Sequence, residues 1–204
     1  MGRNQKFEED LGLILSRLTS NSSKETVRKL SELKERLILL HRENVVKINH
    51  SVMELVCAKH LCERDYEVYV EHLLGEGLTC DLFGVKGDWS LIVEVETGFV
   101  PPDHALDPSA YIAARIASKI VRYSGYAGKF ALGVPPHYVL QFPTLFTLPR
   151  VERKPEDLKA IKSLCDSYYR NPPVTIGDVK NARIHVVYIV DVDNAVVREI
   201  EPEL

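Results

Sequence analysis

The sequence predicts an α/β fold: a mixed central sheet with a helix-βββ-helix-β core, preceded by a helical hairpin and followed by a β-hairpin. Three observations predict it. Leucines recur at helical spacing through the first fifty residues. Short β-branched runs separated by turn residues fill residues 66–97. A further apolar run, Phe130-Ala131-Leu132-Gly133-Val134, follows an amphipathic helical segment and is stopped by Pro135-Pro136.

Taken in order, residues 5–19 carry Leu11, Ile14 and Leu18 on one face, and residues 22–45 carry Leu30, Leu33, Leu37 and Leu40. The intervening Thr19-Ser20-Asn21-Ser22-Ser23 reads as a turn, with Ser22-x-x-Glu25 as a capping box. Residues 1–47 are therefore an N-terminal helical hairpin, either packed on the core or serving as a dimer seam, and residues 48–204 are the α/β domain. A third helix over 49–63 carries Met53, Val56, Cys57 and Leu61, with Glu54 one turn in. Strands follow at 66–73, 78–84 and 89–97. Asp107-Pro108 is an N-cap followed by proline at the first helical position, opening a helix over 108–124. After the 130–134 strand come an apolar segment from Tyr138 to Leu148, a helix at 155–169, a loop around Pro172-Pro173, and a hairpin pairing 183–191 with 195–200 across Asp193-Asn194.

The two strands at the centre carry carboxylates where aliphatic residues are the rule. Side chains alternate along a strand, so Leu91, Val93 and Val95 share one face while Ile92, Glu94 and Glu96 share the other. In a hairpin, Asp81 lies beside Glu94. Carboxylates gathered on an apolar sheet repel one another and are costly to desolvate. A divalent cation relieves both costs, and oxygen ligands suit Mg²⁺ or Mn²⁺. An edge hairpin with a solvated acidic face fits the alternation equally well. Glu54 also has two readings, a ligand near this cluster or the partner of Ser51 in a capping box.

Composition bounds the function. The chain has 204 residues, 45% hydrophobic and 27% charged, with a net charge of -3, as expected of one globular domain with an appendage. No apolar run is long enough to span a membrane, and the first residues lack the apolar core of a signal peptide, so a cytoplasmic protein is expected. The four cysteines show no C-x-x-C pair and no zinc-ligand spacing. No nucleophile elbow and no glycine-rich phosphate loop is present. Residues 1–50 hold ten Lys/Arg against seven Asp/Glu, residues 51–100 three against ten, and residues 101–150 five against two. An acidic block flanked by basic ones suits a metal-dependent enzyme acting on a polyanion.

The order of elements and the acids within it resemble the PD-(D/E)XK nuclease superfamily, over about residues 48 to 135. Within that superfamily, the chain is most similar to archaeal and archaeal-virus proteins related to Holliday-junction resolvases. Asp81 matches the acid of the second strand and Glu94 that of the third, while Glu96 stands where the family usually has its lysine. The resemblance implies a metal-dependent DNA endonuclease acting on duplex or branched DNA as a homodimer. Asp81, Glu94 and Glu54 would hold Mg²⁺ or Mn²⁺, and Glu96 would assist. Some members supply the lysine from the helix before the fourth strand. Here Arg115, Lys119 and Arg122 form a basic stripe on that helix, with Lys119 bordering the apolar stripe of Ile116, Ile120 and Tyr123. Lys119 is thus the expected substitute, and Arg115 and Arg122 the expected contacts to DNA phosphate. Because Glu96 replaces the lysine, the alternative is a catalytically inactive nuclease-fold protein that binds nucleic acid or a protein partner.

Overall fold

The structure, a computed structural model, describes residues 3–202 apart from residue 76. Three helices, α1 (Arg3–Thr19), α2 (Lys24–Arg42) and α3 (Ile48–Cys62), precede an antiparallel run of β1 (Glu67–Gly75), β2 (Leu78–Lys86) and β3 (Trp89–Val95). Helix α4 (Pro108–Tyr123) leads to β4 (Lys129–Val134). Helices α5 (Pro155–Tyr168) and α6 (Ile176–Asn181) then lead to β5 (Val186–Asp191) and β6 (Val196–Ile200).

The six strands form one sheet in sequential order. Strands β3, β4 and β5 are parallel neighbours, and β1–β2, β2–β3 and β5–β6 are antiparallel. Helical connections between parallel strands and short turns between antiparallel ones account for this mixture. The element order agrees with the expected one. Helix α6 is an addition, carried by a capping box in which Thr175 and Asp178 bond each other's backbone N–H.

The sheet is covered on both faces, and strand alternation sorts its side chains between two cores. Leu91, Val93 and Val95 join the cluster made with α1, α2 and α3, whereas Ile92, Phe130 and Leu132 join that made with α4, α5 and α6. Glu94 pairs in register with Leu132 and so belongs to the α4 side of the sheet. The N-terminal hairpin packs in cis: Leu11, Leu18, Leu30 and Leu37 are fully buried in the same cluster as Leu55 and Leu61 of α3.

Two helix starts differ from expectation. Ser23, not Ser22, caps α2 by accepting the Thr26 N–H at 3.1 Å. Helix α3 begins at Ile48 with Lys47 as its cap residue, which places Ser51 inside the helix, buried and with its hydroxyl unpartnered among the described residues. Ser51 and Glu54 are therefore not a capping box, and Glu54 needs another explanation.

Because the hairpin shares one cluster with α3, its removal from the core is costly. Leu30→Ala should destabilise the protein by about 2–5 kcal/mol, the usual cost of emptying a leucine site. Urea unfolding followed by far-UV circular dichroism should keep a single transition in wild type and variant. A separate early transition in the variant would show that the hairpin folds as its own unit.

Candidate active site

The β2–β3 ladder runs from Lys86–Trp89 to Leu82–Val93 and stops there. Beyond that point two carboxylates take over the backbone's hydrogen bonds. The Asp81 N–H donates to Glu94 Oε1 at 3.0 Å, and the Val95 N–H donates to Asp81 Oδ2 at 2.6 Å. Both acids are thereby locked at the place where the strands part, Asp81 nearly buried and Glu94 only 2% exposed.

Lys119 reaches them from α4. Its Nζ donates to Glu94 Oε2 at 2.8 Å, to the Val95 carbonyl at 2.9 Å and to Asp81 Oδ2 at 3.2 Å. All three ammonium protons are engaged. The packing of Ile116 and Ile120 on the sheet sets the helix rotation that carries Lys119 inward. Its placement beside the two acids is the one expected from its position at the border of the apolar stripe.

Helix α3 supplies the other wall. Glu54 is fully buried, and its Oε1 meets His50 Nδ1 at 3.1 Å, while His50 Nε2 meets the Val95 carbonyl at 3.0 Å. Both ring nitrogens face acceptors, the arrangement that suits the doubly protonated imidazolium. His50 Nδ1 also lies 3.8 Å from Asp81 Oδ1. Ligand atoms of His50, Glu54 and Asp81 all fall within 4.8 Å of one another. The second oxygen of Glu54 is buried with no hydrogen-bond partner among the described residues.

The titration behaviour follows from this crowding. Burial works against charge on His50, but Asp81 and Glu54 overcome it and raise the imidazole to about 9. Burial likewise works against the Lys119 ammonium, which the two carboxylates nevertheless hold firmly protonated. Burial pushes the Asp81 carboxyl up; the neighbouring Lys119 and His50 charges and the Val95 N–H outweigh it and hold Asp81 below the usual range. Glu94 is pushed up by burial and by the Asp81 charge, and Glu54 by burial above all.

Two residues here were not among the expected ones. His50 stands one helical turn before Glu54, and that i, i+4 spacing was the signal that could have joined them. Glu71 occupies the gap in the β1–β2 register opposite Asp81. It adopts a positive φ of 46°, a conformation that costs a non-glycine residue of order 1–3 kcal/mol. Burial, with the nearby Glu54 and Asp81 charges, raises its carboxyl to about 8. No pattern in β1 marks this residue, because its relevance depends on which residue of β2 it faces.

Three expected residues take other places. Glu96 is 1% exposed and shares the α4-facing side with Glu94, but it accepts the Gly98 N–H at 2.8 Å and pairs with Arg115 Nε at 2.8 Å. Arg115 also donates to the Phe99 carbonyl at 3.1 Å, so its guanidinium braces the loop after β3. Arg122 donates to the carbonyls of Tyr169 and Pro172 at 2.9 and 2.7 Å and so ties down the segment after α5. The stripe of three cations is thus divided. Lys119 turns to the carboxylates, and both arginines hold backbone rather than standing free on an open face.

No protein-family model matches the chain, and no curated protein matches it. Among solved structures, the chain is similar to one from the CdiA-CT/CdiI toxin and immunity complex of Burkholderia pseudomallei, with 16% identity over 76% of this chain and 86% of that one. The TM-score of that superposition is 0.30. Among the described residues, no helix is long and apolar enough to cross a membrane.

The raised His50 imidazole makes stability depend on pH. Its contribution is fully present below its ordinary value of 6.5 and is lost as pH rises through about 9. Thermal denaturation in EDTA should show stability declining across that window, and His50→Gln should flatten the decline. Equal slopes for the two proteins would mean that His50 titrates as it does in an unfolded chain.

Proposed function

We propose that the protein is a metal-dependent deoxyribonuclease that hydrolyses phosphodiester bonds in duplex or branched DNA. The observation that carries this reading is the gathering of Asp81, Glu94 and Glu54 at the end of β3, with Lys119 bonded to Asp81 and Glu94, His50 meeting Glu54, and both Lys119 and His50 on the Val95 carbonyl. An acid from each of two strands, an acid from the preceding helix and a lysine from the following helix match the roles that the PD-(D/E)XK resemblance asks for, with Lys119 in place of the missing lysine.

The donor set fits a divalent cation. Asp81 and Glu54 offer carboxylate oxygens and His50 an imidazole nitrogen, and the second Glu54 oxygen is buried with no hydrogen-bond partner among the described residues. Carboxylates suit Mg²⁺ and Mn²⁺ alike, and the imidazole favours Mn²⁺. When bound, such an ion supplies an activated water and neutralises charge developing on the phosphate.

The chain's own groups do the rest. Asp81 and Glu54 would hold the cation together with His50, and Glu94, engaged by the Asp81 N–H and Lys119, would add its charge beside them. His50, whose ring nitrogens both face acceptors, would have to lose a proton to serve as a ligand, so binding of a cation there would release one at neutral pH. Lys119 must surrender one of its three present bonds to hold a phosphate oxygen, where its ammonium stabilises the charge of the transition state. Glu96 acts through Arg115, setting the loop that borders the site. Cutting both strands of DNA asks for two such sites, so a homodimer belongs to the same proposal.

The test is cleavage of linear, nicked and four-way-junction DNA with and without Mn²⁺, alongside Mn²⁺ titration. Asp81→Asn should lose both Mn²⁺ binding and cleavage. Lys119→Met should retain Mn²⁺ binding while cleavage falls by about 10²-fold or more, the loss typical of removing one preorganised charge-stabilising group. Salt-dependent DNA binding with no cut in any substrate would replace this reading with a nucleic-acid-binding protein of the same fold. Absence of both would remove nucleic acid from the account.

A further inference from the structure

A second, separate concentration of charge lies at the other end of the sheet. A cavity of about 770 Å³ opens between the turn after α4, the Leu148–Arg153 segment and the start of β5. Arg150, Arg153, Arg183 and His185 line it, together with Ser124 and Gly128, and no carboxylate does among the described residues. Gly128 immediately precedes β4, whereas the carboxylate cluster stands beside Leu132 and Gly133, at the far end of that strand. The strand rise puts the two sites roughly 10 Å or more apart.

The charge in this cavity is uncompensated. The arginines that form ion pairs are Arg28, Arg42, Arg64 and Arg115; Arg150, Arg153 and Arg183 form none among the described residues. Arg153 is the unusual one, for it is only 7% exposed. Its guanidinium donates to the carbonyls of Leu148, Lys180 and Ala182 at 2.9, 2.8 and 2.6 Å. Those carbonyls satisfy its donors and tie α6 to the Leu148 segment, but they leave a full positive charge at the cavity wall. Burying an unpaired charge is costly, and the nearby Arg150 and Arg183 raise that cost by repulsion. His185 adds a donor: its Nδ1 accepts the Phe130 N–H at 3.0 Å, so the neutral ring carries its proton on Nε2.

We propose that this cavity binds a polyphosphate, the di- or triphosphate group of a small molecule. Guanidinium forks match phosphate oxygens in pairs; Arg150 and Arg183 can offer theirs, while Arg153, whose donors the carbonyls hold, adds its charge, a set that suits an anion of several charges. The volume lies within the range of small-molecule sites. The inference stands apart from the nuclease reading, since it uses none of the carboxylate-site residues.

Isothermal titration with inorganic triphosphate, in EDTA and at low salt, tests it on the full chain. Saturable binding is expected, with a matching rise in melting temperature. Arg150 and Arg183 are exposed, so the double variant Arg150→Gln/Arg183→Gln should keep the ligand-free melting temperature. It should nonetheless bind triphosphate about tenfold or more weakly, as loss of charge-assisted hydrogen bonds predicts. Lys119→Met should bind it as wild type does, which separates this site from the carboxylates. A nucleoside triphosphate that binds more tightly than triphosphate would extend the site to the nucleoside; equal binding would confine it to the phosphates. The proposal is overturned by any of three results: no saturable binding at millimolar triphosphate, equal affinity in the double variant, or displacement of triphosphate by a 30-base-pair duplex. The last would assign the cavity to nucleic-acid phosphate.

Discussion

The placement of the Lys119 ammonium between Asp81 and Glu94 is the contact on which the centre of this molecule depends. Two carboxylates on neighbouring strands, both almost without solvent, would repel each other and drive protons onto themselves. The ammonium makes the arrangement tolerable, and the Val95 carbonyl completes its coordination. The acids in turn do a structural task. Their oxygens accept the Asp81 and Val95 N–H groups just where the β2–β3 ladder ends. Without them, two buried N–H groups would lose their partners at the point where the strands part.

The site draws on all three layers of the fold. From one helical layer α3 brings Glu54 and His50, from the other α4 brings Lys119, and the sheet between them contributes Asp81, Glu94 and the Val95 carbonyl. Burial of Leu55 and Leu61 on one side and of Ile116 and Ile120 on the other sets where these charges stand. Rigid packing on both faces is what lets polar groups be held in a low-dielectric setting, where their interactions are strong. The positive φ at Glu71 fits the same picture, since backbone strain is concentrated at such places and offset by the structure around it.

Three arginines of this protein serve as ties between backbone segments. Arg115 braces the loop after β3, Arg122 the segment after α5, and Arg153 the join between the Leu148 segment and α6. A guanidinium can bridge several carbonyls at once because its donors point in fixed, divergent directions. This use explains how a helix with three cations at regular spacing presents no continuous basic face. It also leaves Arg153 as a charge satisfied in hydrogen bonds but not in electrostatics.

By itself the sequence determined the order of helices and strands apart from α6, the sorting of Leu91, Val93 and Val95 from Ile92 and Glu94, and the turn of Lys119 toward the sheet. These follow from periods of 2 and 3.6 residues and from hydrophobic burial, which are local properties of the chain. Tertiary structure decided the rest. The entry of His50 and Glu71 into the cluster depended on which helix face and which strand register meet Asp81, and no local pattern records that. Whether Glu54 capped a helix or faced the acids turned on the start of α3 at Ile48 rather than near Ser51. The division of Arg115, Lys119 and Arg122 among three different partners was likewise decided by what packs against α4. A charged side chain's role is set by the partners that folding brings to it, and for these three cations they lie 16 to 50 residues away in the chain.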